Sequence, residues 1–438
     1  MQSKKLLTLF LSGILFSTFA DAQVSDLPEP SSGKINSPYS RFGLGNISDH
    51  KSVVLKGMAG VANGYASEHE VNAENPASYT YLKSASFNFG FLAQGNNVKI
   101  GDDVTQSSTI TINHLNLAFP LIQKHLAINI GYMPYSSVYY NSRDSIVIDN
   151  IKAYQTYNGE GGLNYGFMGI SGGWGGFSAG VNAGYMFGNF RNSSYFALDT
   201  TYMLTTRITD TSTNTNYGSL YFKGGLMYKA KIQKDKYLSI GGTASLSNKL
   251  NAVRNGYLTA STTGQSVIDT VSASYDLKGA MTLPTEYGFG VHYGKQNNYD
   301  FGVDFDYSNW KSFSRFTGNP EVGVGQNAYR VAIGGEILPN PKATTKQYFS
   351  AVTYRFGAYY GKDYFNLNNT DINYYGGTLG IQLPFKPSPN TEQIGALNIS
   401  LDLGNRGTVL NGLAKEFYTK FSVGVKFNAR WFERYKFN

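Results

Sequence analysis

The chain has 438 residues, among them 50 Gly, 34 Tyr, 28 Phe and 3 Trp, yet only 15% of it is charged, against roughly 25% in an average globular protein. The aromatic surplus excludes a disordered chain, and the absence of cysteine excludes a disulfide scaffold, a thiolate metal site and an acylated-cysteine anchor. The net charge of +8 comes from 37 basic and 29 acidic residues scattered without a basic run, which argues against a nucleic-acid partner.

In chain order, Lys4 and Lys5 precede an apolar stretch, Leu6 to Phe19, and an Ala20-Asp21-Ala22 cleavage pattern. Residues 1–22 therefore read as an export signal. Beyond Gln23 no stretch reaches the roughly 18 to 20 apolar residues of a spanning helix. A mature chain that lies in a membrane must then be a closed barrel, the other structure that satisfies its backbone in lipid.

Residues 23–83 show no long alternating strand. A Pro-, Ser- and Gly-containing linker, Leu27 to Asn36, leads to the glycines of Arg41 to Gly45 and Lys56 to Ala62. Three readings compete: a periplasmic arm, a small domain that buries little core, or a plug inside a barrel whose lumen side chains alone fill poorly.

From Ser84 the pattern changes to period two. Strands are predicted at Ser84–Val98, Ser107–Leu121, His125–Asn141, Gln155–Gly172, Phe177–Phe190, Leu220–Ile232, Tyr237–Leu250, Pro284–Gly294, Tyr299–Ser312, Asn327–Leu338, Gln347–Tyr360, Thr370–Pro384, Gln393–Leu403 and Tyr418–Arg434. The last shows the split best, with Phe417, Phe421, Val423, Val425 and Phe427 against Tyr418, Lys420, Ser422, Lys426 and Arg430. Sandwich strands run about 5 to 6 residues; these reach the roughly 9 to 11 needed to cross a bilayer at a tilt. The expected fold is all-β, a 14-stranded transmembrane antiparallel β-barrel over residues 84–438.

Connections alternate between brief turns, such as Gly173 to Gly176 and Lys295 to Asn298, and longer polar segments, above all Arg191 to Ser219 and Asn251 to Leu283. Short periplasmic turns and long extracellular loops are the outer-membrane arrangement, which starts the first strand at the periplasm. Trp431, Phe432, Tyr435 and Phe437 then supply interfacial aromatics at the carboxyl end.

Candidate chemistry is sparse. The five histidines fall in separate segments without metal-ligand spacing, so no metal site or cofactor is expected. Asp304 and Asp306 share one strand face with Trp310, opposite Phe305 and Tyr307, and Glu286 and His292 take the same face of the preceding strand. These acids would line the lumen, where solvated polar lining is favoured over an acid/base site. Lys420, Lys426 and Arg430 are lumen-facing cations suited to a carboxylate head group or to balancing the acids. No G-x-S-x-G motif is present, and no enzyme is expected.

The run Asn72-Ala73-Glu74-Asn75-Pro76-Ala77 resembles the Asn-Pro-Ala signature that closes the hatch of the FadL family of outer-membrane transporters, TodX included. Leu126 to Tyr135, with Gly131 and Pro134, is similar to the family's third-strand region. Leu283 to Gly290 and Phe301 to Trp310 resemble two later strands of the family. The opening Asn36 to Gly45 is similar instead to FadL-like barrels of the Bacteroidota, PorV-like relatives included. The resemblance implies a hatch hinged at Asn75, Pro76 and Ala77 and a lateral wall opening at Gly131 and Pro134. It also implies uptake of a hydrophobic, fatty-acid-like compound through the outer membrane of a Gram-negative bacterium. The alternative is a non-transporting barrel that works with a type IX secretion system or plugs a larger translocon.

Overall fold

The computed structural model describes residues 34–49, 51–148, 151–198, 207–233, 235–262, 268–316, 321, 323–385 and 395–429. Residues 1–22, read above as an export signal, Arg430 and the four carboxyl-terminal aromatics lie outside the described residues.

Seventeen strands form one sheet. Fourteen of them close an antiparallel barrel: β2 (Ala85–Ile100), β3 (Asp103–Ile122), β4 (Leu126–Ile148), β5 (Ile151–Trp174), β6 (Phe177–Leu198), β7 (Arg207–Gln233), β8 (Lys236–Ser245), β11 (Thr285–Lys295), β12 (Tyr299–Asn309), β13 (Ala328–Ile337), β14 (Thr353–Leu367), β15 (Thr370–Pro384), β16 (Gly395–Gly407) and β17 (Ala414–Ala429). Closure is made by β17 on β2, with sixteen paired positions from Ala414↔Ile100 to Ala429↔Ala85. The remaining three are β1 (Asn46–Ile47), which pairs with β4, and a hairpin of β9 (Lys249–Thr262) and β10 (Ile268–Thr282) inserted between β8 and β11.

The alternation seen in the sequence follows from the wall having one lipid face and one inner face. On β17, Phe417, Phe421 and Phe427 point out and are exposed, while Glu416, Ser422, Lys426 and Asn428 point in and are buried. Every carbonyl and N–H of a strand inside the bilayer must be paired with a neighbouring strand, which is why the sheet closes. Trp174 and Phe177 flank the β5–β6 turn, both largely exposed. Such rings suit the headgroup level of a membrane.

The wall is uneven in height. Strands β8, β11, β12 and β13 have 10 or 11 residues, whereas β4 to β7 have 22 to 27, far more than the roughly 9 to 11 that cross a bilayer. The long polar connections expected at 191–219 and 251–283 are thus corrected. Arg191–Leu198 continues β6, and the upper half of β7 pairs with β9 from Arg207↔Thr262 to Gly218↔Asn251. β-branched Thr209, Thr211, Thr213 and Thr215 favour extended backbone, and outside the bilayer a strand can be polar on both faces. The strand expected from Gln347 begins instead at Thr353, after a 3-10 turn over Thr345–Ala351.

Residues 34–49 and 51–83 pack against the inner face of the barrel wall. Helix α1 (Val53–Lys56) is capped by Ser52, whose hydroxyl accepts from the Leu55 N–H. A 3-10 turn over Pro76–Tyr81 is capped by Asn75, whose side chain accepts from the Ala77 N–H at 3.1 Å. Residues 51–66 are buried almost without a break, which removes the solvated-arm reading of this segment.

Candidate functional site

The lumen holds two contrasting environments, a seat for the inner segment and a chamber beside it. The seat is lined with glycine. A Cβ at Gly241 would lie 1.9 Å from the Asn63 carbonyl oxygen, at Gly225 2.1 Å from Asn75 Oδ1, and at Gly334 2.1 Å from the Met58 carbonyl oxygen. At Gly180 it would meet Pro76 at 2.6 Å and at Gly357 Ala59 at 2.7 Å. Close approach of two backbones therefore explains these glycines, which lie on β6, β7, β8, β13 and β14.

Between the glycines, charged side chains fasten the segment. The Ala62 and Asn63 N–H groups donate to Asp304 Oδ2 at 2.6 and 2.7 Å. Nε2 of His292 lies 3.7 Å from the other Asp304 oxygen, while its Nδ1 lies 2.6 Å from Asp300 Oδ1. Asn63 donates to Asp306 at 2.7 Å, and the Arg330 guanidinium donates to the Ala59 carbonyl at 2.6 Å. Glu70 of the inner segment meets Lys426 at 2.9 Å, both nearly fully buried, and Glu74 meets Lys223. Asn75 donates to the carbonyls of Asn63 and Leu226, at 2.6 and 3.3 Å. Pro76 and Ala77 lie beside it, against β6.

The solvated-lining reading is corrected for Asp304 and His292, and Lys426, expected to meet a head group or to balance the wall's acids, is paired with Glu70 instead. Asp304, His292 and Lys426 are buried beneath the inner segment, because backbone N–H groups and Glu70 replace water as their partners. Trp310 is also fully buried, with its ring stacked on Tyr364 at 3.7 Å. Glu286, Asp306 and Lys420 do face open volume. The sequence reading missed Asn63, Glu70, Glu74, Lys223 and Arg330. The available signal was glycine recurring on the inward parity of strands, as at Gly288 and Gly290.

The chamber has a volume of about 1050 Å³ and lies between the inner segment and the wall. Lys51, Lys56 and Asp49 of the inner segment face it together with Asp306, Arg330, Asp402 and Lys420 from the wall. Lys51 lies 3.5 Å from Asp306, and Lys420 lies 3.9 Å from Asp402. Burial, reinforced by Lys420 and Lys51, holds the Lys56 ammonium down to about 8 despite Asp49 and Asp402. Burial pushes the Asp49 carboxyl up, but Lys51, Arg330, Lys56 and Lys420 outweigh it and hold the group well below its ordinary value.

One seam of the wall is incomplete. Ladder pairing between β3 and β4 runs from Ile122↔Leu126 only to Leu115↔Tyr132. Gly131 lies one position before the end of this pairing, and Pro134 two positions beyond it, at a register shift against β5. Proline has no N–H to give a ladder, so it suits such a break. Beyond it the inner segment borders β4: Ile47 pairs with Ser136, the Ser48 N–H donates to the Tyr135 carbonyl, and the Ser37 N–H to the Tyr139 carbonyl. The chamber is lined from both sides of the break, by Thr109, Thr111 and Ile112 of β3 and by Pro134 and Ser136 of β4.

Among the described residues no group of three or more His, Asp or Glu is arranged to hold a metal ion. The fold is that of the FadL-type outer-membrane barrels. It is similar to the CymD monoaromatic hydrocarbon channel, at TM-score 0.56 and 12% identity over 90% of this chain and 100% of that one. A Pseudomonas aeruginosa FadL homologue matches at 0.55 and 12%, over 88% and 99%, and the Ralstonia pickettii toluene transporter TbuX at 0.54 and 13%, over 86% and 98%. At these identities the likeness is one of fold. A family model described as BamG matches residues 6–438, and the chain belongs to that family. No curated protein sequence matches it.

Proposed function

We propose that this protein is a closed barrel of the Gram-negative outer membrane that serves as a protein-binding component of a larger membrane assembly. The observation that carries the reading is the seat: backbone against glycine, with buried ion pairs, leaves the inner segment no loose edge at which to swing. The tall β4–β7 wall and the β9–β10 hairpin supply the ordered surface such a role needs. Tyr257 and Tyr275 on that hairpin meet edge to face with centroids 5.7 Å apart, and both are exposed. Exposed aromatic side chains are favoured anchors at protein interfaces. The type IX secretion translocon suggested by the sequence resemblance is the first partner to test. A photo-crosslinker at position 275 in intact cells should capture a defined protein; a wild-type barrel that crosslinks to nothing there would sink this reading.

The second reading is uptake of a hydrophobic compound through a hatch hinged at Asn75, Pro76 and Ala77 and a lateral opening at Gly131 and Pro134. The broken β3–β4 seam and the fold shared with hydrocarbon channels favour it. Its test is accumulation of labelled toluene or a fatty acid in proteoliposomes. Accumulation by the wild-type barrel, lost when Asn75 and Pro76 are replaced, would favour uptake over the closed component.

A further inference from the structure

We propose that the inner segment runs the full height of the lumen and leaves it at the cell surface, so that the residues preceding Lys34 are displayed outside the cell. This inference does not rest on the partner-binding reading.

The contacts of the segment put its two ends at opposite ends of the barrel. At its carboxyl end the Tyr81 hydroxyl donates to the Gly176 carbonyl at 2.8 Å, the Lys83 carbonyl accepts from Gln123 at 3.3 Å, and Ala85 opens β2 opposite Ala429. The short turns lie at this end. Its amino-terminal part sits where the same β17–β2 ladder finishes. The Tyr39 hydroxyl donates to the carbonyl of Ala414, which pairs with Ile100, and the Ser37 hydroxyl donates to Glu416, which pairs with Val98. Lys34 meets Glu160 of β5, which also meets Arg191 of β6 at 3.0 Å. Glu160 stands about 13 residues along β5 from Gly173. At roughly 3.3 Å per residue and a tilt of roughly 35 to 45°, that is about 30 to 35 Å of height, more than the roughly 25 Å apolar band of a bacterial barrel.

Residues 36–45 form a strap across this end. The Asn36 N–H donates to Ser107 of β3 at 3.0 Å, and the Ser37 N–H and the Ser40 hydroxyl donate to the Tyr139 carbonyl of β4 at 3.1 and 2.8 Å. Across the lumen the Tyr364 hydroxyl of β14 bonds the Phe42 and Gly45 carbonyls at 3.0 and 2.7 Å. Tyr39 is buried and stacks on Phe365 at 5.5 Å. The strap is thus clamped from both walls, whereas the Lys34 side chain just before it is 48% exposed. Short turns face the periplasm in outer-membrane barrels, which puts the strap and Lys34 on the outer side, with the tall β4–β7 wall. A partner that grips the residues before Lys34 is therefore extracellular. Export delivers the chain to the periplasm, so the barrel closes around this segment rather than receiving it afterwards.

Because the chain lacks cysteine, the full-length barrel can carry one thiol at a time: Ser31→Cys before Lys34, Asp102→Cys between β2 and β3, or Gln123→Cys between β3 and β4. In intact cells a membrane-impermeant maleimide should label Ser31→Cys as fully as Asp102→Cys, and Gln123→Cys only after the outer membrane is opened. In proteoliposomes of the purified barrel, where no partner shields a thiol, the labelled fraction of Ser31→Cys should equal that of Asp102→Cys and complement that of Gln123→Cys. A Ser31→Cys thiol that labels with Gln123→Cys, or a Gln123→Cys thiol reached in intact cells, overturns the outward exit. Labelling of Ser31→Cys in neither preparation overturns the display.

Discussion

The seat and the chamber occupy one lumen and are built on opposite plans. In the seat, glycine lets two backbones touch, and Asp304, Arg330 and Lys426 are met by backbone N–H groups, a carbonyl and a counter-ion at 2.6 to 2.9 Å. In the chamber, Lys51–Asp306 and Lys420–Asp402 stand 3.5 and 3.9 Å apart around open volume. Ion pairs that are buried and fully hydrogen-bonded fix a structure, whereas half-satisfied ones beside a cavity are free to meet a guest. The difference teaches that closure and recognition are separable in this barrel.

The largest effect should come from filling the seat. Gly241→Val or Gly334→Val drives a side chain into a carbonyl that has no flexible atoms to yield, which overpacks by about 3 kcal/mol or more. Limited proteolysis should then cut residues 51–83, which are protected in wild type. Gly166→Val is the control, since a Cβ there meets nothing within 4 Å and should change stability by under about 0.5 kcal/mol. A protease-resistant Gly241→Val barrel would break the comparison at its root.

Next in size are the buried charges. Lys426→Met leaves Glu70 buried without its partner and should cost about 3 to 5 kcal/mol, read as a lower midpoint in heat-modifiability gels. Lys420→Met, at a partly solvated pair, should cost only about 0 to 1 kcal/mol. Equal losses would mean that seat and chamber are not distinct environments.

A smaller effect is expected from pH. Burial holds Lys56 at about 8 in the folded barrel, below its ordinary 10.5, so the unfolded chain binds the extra proton in the window between the two values. Stability against unfolding should therefore rise as pH goes from 8 towards 10, read as a higher midpoint in heat-modifiability gels. A Lys56→Met barrel with the same pH profile as wild type would show that Lys56 does not carry this dependence. The smallest change in stability, under about 0.5 kcal/mol, is expected for Tyr275→Ser. The same substitution should abolish crosslinking from a probe on neighbouring β9, and an unchanged pattern would move the docking surface elsewhere.

Much of the architecture was legible because it is local. A strand with lipid on one side and an inner face on the other alternates with period two, so Phe417, Phe421 and Phe427 declared their orientation. Gly131 and Pro134, read from the resemblance as a lateral opening, lie on either side of Tyr132, where the β3–β4 pairing ends. The polar segments misled, because Ser, Thr and Asn suit a loop as well as a strand standing clear of the membrane. The site was less legible. Asp304 was recognisable as inward-facing, but its partners lie 241 and 242 residues earlier in the chain.

By itself, then, the sequence determined the strand count and the inner and outer faces, both of which follow from neighbours along the chain. Only the tertiary structure decided which inward positions meet water and which meet the inner segment. Glycine carries no side chain to announce its partner, and a buried and a solvated lysine are written with the same letter. The 50 glycines that set this composition apart thus gain part of their meaning only when Asn63, Met58 and Asn75 come to rest against them.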